Sequence, residues 1–85
     1  MAKNVAFEVL LQTEVNGCAA DTHGKIVYAA GPGKKLVKID EATWKVSDTL
    51  ELPGPGDCVQ YNRRLKTVYV ANDDGTSVWA VDETS

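Results

Sequence analysis

Written as apolar and polar positions, the chain is a series of short apolar runs separated by polar breaks that carry glycine, proline, asparagine or aspartate. Nowhere do apolar residues recur at helical spacing for the length of a helix, so the pattern predicts strands. Val15 to Ala20 and Cys58 to Tyr61 are short and rich in small residues. Lys25 to Ala30 and Lys66 to Ala71 are β-branched and aromatic with little alternation, as in strands covered on both faces. Leu36 to Ile39 and Ser77 to Val81 come next, each reached through a hairpin signal, Gly31-Pro32-Gly33-Lys34 and Asn72-Asp73-Asp74-Gly75. Thr43 to Leu52 supplies one more strand. Val5 to Leu11 by itself reads as a short helix or a strand.

The same order of runs is written twice. Gly17-Cys18 aligns with Asp57-Cys58 at an offset of 40, Ile26 to Ala30 with Thr67 to Ala71 at 41, and Val37 to Glu41 with Trp79 to Glu83 at 42. Small insertions in the turns explain the drift. A period near 40 is the length of one four-stranded propeller blade, with innermost strand a through outer strand d. Counting back from Cys18 as from Cys58 sets Asn4 to Gln12 opposite Trp44 to Leu52, so the repeat decides for a strand d at the N-terminus.

The expected fold is therefore an all-β β-propeller with two blades per chain. Residues 1–12 form an outer strand for a closing blade, 13–52 the first blade, and 53–85 a second blade lacking its own outer strand. Each blade has two apolar faces and needs a neighbour on both sides. Homo-oligomerisation then completes the ring, with the N-terminal strand of one chain closing the last blade of the next. This head-to-tail contact closes when the rotation divides a full turn. Known propellers carry roughly 4 to 8 blades, and a trimer is preferred, with a tetramer next. The start at Met1-Ala2-Lys3 and the complementary ends favour an intact unit over a piece of a longer propeller.

The segment KTVYVANDDGTSVWAVD (Lys66 to Asp82), with its weaker partner KIVYAAGPGKKLVKID (Lys25 to Asp40), resembles the YVTN-type β-propeller repeat. That family's blades carry a Tyr-Val-x-Asn core, a turn and a Val-x-Val-Ile-Asp strand. Tyr69-Val70-Ala71-Asn72 and Asp82 match it, whereas Ala30-Gly31 replaces the expected Ala-Asn in the first copy. The resemblance spans nearly the whole chain. It implies fold rather than activity, since most members bind or scaffold and no catalytic motif travels with the repeat.

Composition narrows the partners. The chain has 85 residues, 44% hydrophobic and 25% charged, the composition of an ordinary globular domain. A formal charge of −3 and a pI near 4.9 argue against nucleic acid or an anionic membrane as the main partner. Glu8 interrupts the first apolar stretch, which lacks the features of a signal peptide, and no run approaches the roughly 20 apolar residues of a membrane helix. A cytoplasmic location is expected.

Candidate chemistry is sparse. Cys18 and Cys58 hold the same place in the two copies; facing the channel they would suit a soft metal or redox chemistry, and facing the sheets they are small buried hydrophobes, the preferred reading. A disulfide between them is not expected at equivalent positions of adjacent blades. His23 sits in the first a–b turn and Arg63 and Arg64 in the matching second one, a bottom rim that offers either an anion site or solvated surface. The top loops hold Asn16, Lys34, Lys35, Asp57, Asn72, Asp73 and Asp74, where propellers usually bind partners. Asn72 to Gly75 offers calcium-type oxygens, but a hairpin turn demands the same residues. Gly31 to Lys35 resembles a phosphate loop, yet no helix follows it.

No nucleophile stands at readable spacing from a base, so no catalytic residue, metal or cofactor is assigned. The expected function is a non-enzymatic ring-forming module that binds a protein or small ligand at the top mouth. The rival is an enzyme with symmetric copies of His23, Arg63 or the cysteines around the channel. Tyr28 and Tyr69, equivalent in the repeat, are expected at sheet-to-sheet contacts with satisfied hydroxyls.

Overall fold

The computed structural model describes residues 5, 8–11, 14–21 and 23–83. The β-branched and aromatic runs form seven strands: β1 (Gly17–Asp21), β2 (Ile26–Ala30), β3 (Lys35–Asp40), β4 (Lys45–Glu51), β5 (Gly56–Asn62), β6 (Thr67–Asn72) and β7 (Val78–Asp82). They make two antiparallel meanders, a four-stranded sheet ordered β1-β2-β3-β4 and a three-stranded sheet ordered β5-β6-β7. Among the described residues there is no helix, and none long and apolar enough to cross a membrane.

The N-terminal strand expected over Asn4 to Gln12 falls partly outside the described residues. Those that are described, Val5 and residues 8–11, lie in no strand of the single chain, and Val5 and Leu10 are 84% and 83% exposed.

Duplication reaches the backbone. Tyr28 pairs with Lys38 across β2 and β3, and Tyr69 with Ala80 across β6 and β7, so the offsets of 41 and 42 recur in the ladders. The two a–b turns end on left-handed residues at equivalent places, Lys25 (φ 56°) and Lys66 (φ 51°), and the two b–c turns do the same with Lys34 (φ 60°) and Gly75 (φ 78°). Side-chain turn locks repeat as well. Asp21 Oδ1 accepts the Gly24 amide at 3.0 Å, and Asn62 Oδ1 accepts the Leu65 amide at 3.2 Å.

The cysteine alignment needs correction. Cys18 pairs with Ala29, whereas the residue pairing with Val70, the equivalent of Ala29, is Val59. Between Gly56 and Val59 the register shifts, so Asp57 and Cys58 together oppose Ala71 in a β-bulge. Cys58 thus belongs to the inserted residue pair and has no strict counterpart in β1.

One face of each sheet makes the core. Alternation points Ala19, Ile26, Tyr28, Ala30 and Leu36 from the first sheet toward Val59, Tyr61, Val68, Val70, Trp79 and Val81 from the second. Val68 and Val70 are 1% and 0% exposed. At the inner edge β1 packs on β5 so closely that a Cβ on Gly17 would lie 2.4 Å from the Asp57 carbonyl oxygen. That neighbour is backbone and cannot swing aside. Gly17→Ala is therefore expected to destabilise the fold by roughly 1–3 kcal/mol as an overpacking change, read from the urea midpoint at unchanged slope; an unchanged midpoint would mean that the β1 and β5 backbones separate at no cost.

Candidate functional site

Chemistry-bearing side chains gather at the two ends of the sheets. At the end where β1 and β5 finish, Tyr28 of β2 and Tyr61 of β5 stack with ring centroids 5.7 Å apart and planes 23° apart. Both hydroxyls donate to one carboxylate: Tyr28 to Glu83 Oε2, and Tyr61 to Glu83 Oε1 at 2.9 Å. The Glu83 side chain leaves the end of β7 and reaches across to the first sheet, so this cluster ties the last strand of one sheet to the second strand of the other.

Asp21 completes the cluster. It is 5% exposed, and its Oδ1 accepts the backbone amides of Gly24 at 3.0 Å and His23 at 3.1 Å. The Gly24 amide above all, with the His23 amide beside it, holds its carboxyl below the usual range against the cost of burial. Burial first, and the Glu83 carboxylate second, push the Tyr28 and Tyr61 hydroxyls well above their ordinary range. Tyrosines held neutral this way act as hydrogen-bond donors and are poor bases. The arrangement suits clasping a carboxylate, here the protein's own.

On the surface of the same end, Arg63 Nη1 donates to His23 Nδ1 at 2.6 Å. The guanidinium has donors only, so in this contact Nδ1 is the acceptor. His23 and Arg63, from the two matching turns, thus meet across the two sheets, while Arg64 is exposed beside them.

At the opposite end the expected top loops interlock. The Asn16 side-chain amide donates to the Gly56 carbonyl at 3.1 Å, the Gly56 amide to Gly31 at 2.9 Å, and the Asp73 amide to Pro55 at 2.9 Å. Asn72 and Asp74 are used by their own turn: Asn72 Oδ1 accepts the Asp74 amide at 3.2 Å, and Asp74 Oδ1 accepts the Thr76 amide and hydroxyl at 2.9 and 2.6 Å. Those Thr76 bonds hold the Asp74 carboxyl below its usual range. Lys34, Lys35, Asp57 and Asp73 are exposed at this end.

Both cysteines are free and exposed in the single chain. Cys18 lies on an edge strand and alternates away from the second sheet, and Cys58 sits in the bulge. Sequence reasoning did not single out Asp21, Tyr61 or Glu83 as a cluster. A signal was present in the repeat itself, which ends both copies in Asp-Glu, Asp40-Glu41 and Asp82-Glu83.

A cleft opens beside the tyrosine pair, between β3 and β4 of the first sheet and β7 of the second; its walls include Leu36, Lys38, Asp48, Leu50 and Val81. Compared with protein-family models and with curated proteins, the chain matches none.

The cluster fixes how stability depends on pH. Folding raises the tyrosine hydroxyl pKa values, so their contribution is complete below the unfolded value of about 10 and is lost as pH rises past it. Stability should fall there by up to about 1.4 kcal/mol per pH unit for each of the two tyrosines, and Tyr28→Phe should remove about half of that slope in urea titrations at alkaline pH. The depressed Asp21 carboxyl has the opposite sign: its contribution is present above about pH 4 and is lost as pH falls through its lower native value. An alkaline slope unaffected by Tyr28→Phe would show that Tyr28 ionises freely in the native state.

Proposed function

We propose that this chain is a two-blade unit of a β-propeller resembling the YVTN type, that copies of it close into a homo-oligomeric ring, a trimer first and a tetramer next, and that the ring is a non-enzymatic binding module. The observation that carries the reading is the asymmetry of a duplicated backbone: the two sheets share the β2–β3 and β6–β7 ladder register and the left-handed residue that ends each first turn, but among the described residues the first has four strands and the second three. Among the described residues β7 has no neighbour on its outer side. The cleft between β4 and β7 lies where a fourth strand added to β7 would cover β4, whose residues are all exposed. A segment pairing with β7 satisfies its edge amides and buries Leu50, which is 47% exposed.

In this reading the missing strand is residues 1–12 of the next copy. Their run, Val5 to Leu11, has strand composition, and their alignment with Trp44 to Leu52 gives them the role of β4 in the neighbouring sheet. Each copy contributes the exposed Lys34, Lys35, Asp57 and Asp73 to one mouth of the ring, a mixed-charge surface suited to a polar protein or small ligand. The tyrosine–carboxylate cluster is used internally and serves the joint between sheets.

Native mass spectrometry tests the ring. A single species at three times the 9.2 kDa chain mass is expected in dilute solution. Deleting Met1 to Leu11 should abolish that species or cause precipitation through the opened edge. A folded monomer at every concentration, or a truncated chain that assembles and melts like the full one, contradicts the reading.

A further inference from the structure

We infer that where copies of this chain join, the Tyr69 hydroxyl of one copy donates to the Glu41 carboxylate of the next, reproducing between chains the Tyr28–Glu83 contact within the chain. The inference rests on the ring reading above and assigns the residues that make its joint.

The internal contact is the template. Tyr69 stands in β6 where Tyr28 stands in β2. Glu41 and Glu83 leave the ends of β3 and β7 with the same backbone anchor, the Glu41 amide on the Lys25 carbonyl at 2.8 Å and the Glu83 amide on the Lys66 carbonyl at 2.8 Å. Alternation places Tyr69 on the face of the second sheet that looks away from the first, since its neighbours Val68 and Val70 fill the core. Tyr69 is half-buried, and neither its hydroxyl nor the Glu41 carboxylate hydrogen-bonds to a described residue.

The surrounding faces repeat the template too. Tyr69, Ala71 and Val78 on the outer face of the second sheet are the ladder equivalents of Tyr28, Ala30 and Leu36. Val27, Ala29 and Ile39 on the outer face of the first sheet are the equivalents of Val68, Val70 and Val81. Inside the chain those two sets pack against each other. The outer faces therefore complement one another and not themselves, which selects a second copy in a head-to-tail contact as the occupant. Val78, 63% exposed, is the largest gain from covering. Ala29, Val37 and Ile39 are already buried in the single chain and gain little from docking.

One difference sets the strength of the joint. Tyr61, the second donor to Glu83, has Ala20 as its ladder equivalent. The Glu41 carboxylate thus receives one tyrosine rather than two, and the joint between chains is weaker than the joint within them.

A double-mutant cycle tests this. Tyr69→Phe, Glu41→Gln and the double variant are checked for folding by circular dichroism, then followed by native mass spectrometry across a dilution series beside the unmodified chain. Each single change should raise the concentration of half-assembly by roughly tenfold or more, the worth of a hydrogen bond to a charged group. The double variant should be no worse than the weaker single. Glu41→Lys, at a half-exposed turn position, is the second variant and should abolish the oligomer while leaving the monomer folded. If the unmodified chain assembles but the single changes are neutral or strictly additive, or Glu41→Lys assembles normally, the Tyr69–Glu41 pairing is wrong and the ring stands. If the unmodified chain is monomeric throughout, the ring reading fails and this pairing fails with it.

Discussion

Everything in this molecule depends on one contact, the meeting of the Tyr28 face of the first sheet with the Val68 and Val70 face of the second. Neither sheet is thick enough to bury its own apolar residues, and at about 25 cal/mol per Å² an uncovered face forfeits more than a small domain has to spare. The contact is closest at the inner edge, where Gly17 lets two backbones touch, and is fastened farther out by Glu83 reaching back to Tyr28 and Tyr61. A glutamate clasped by two neutral tyrosines keeps its charge off the apolar surface and gives the joint a direction, from the second sheet to the first.

Direction matters because a contact between unlike faces does not terminate. A self-complementary face stops at two copies, whereas a face that fits a different face exposes a new one each time it is used. The outer surfaces of the two sheets carry the same residue types as the inner ones, in the same register, and so keep this property. In the proposed ring such an arrangement would end without leaving an apolar face in water, and the same step would pair the β7 edge, which has no neighbour among the described residues.

How far the fold was legible depends on what each residue had to satisfy. Strands β2, β3, β6 and β7 were readable because their β-branched and aromatic residues and their Asn-Asp-Asp-Gly or Gly-Pro-Gly turns answer to local geometry, and the repeat supplied a second copy as a check. The bulge at Asp57 and Cys58 was not, because an inserted residue leaves the apolar alternation nearly intact while moving one side chain out of register; the cysteines were accordingly matched to each other. The tyrosine cluster escaped for a different reason. Tyr28 and Glu83 are 55 positions apart, and only the packing of the sheets brings them together. Asn72 Oδ1 and Asp74 Oδ1, in contrast, accept from their own turn, the local chemistry that a hairpin sequence displays directly.

The central claim is that another copy of the chain covers the second sheet and completes its edge, and hydrogen exchange at β7 tests it most directly. Amides of Val78 to Val81 that point away from β6 have no strand beside them among the described residues of the single chain. The account predicts that they are protected wherever the oligomer is the species present, and that they lose that protection in step with its dissociation when dilution is carried far enough to separate the copies. Rapid exchange at every concentration, with the rest of the sheet protected, would contradict it.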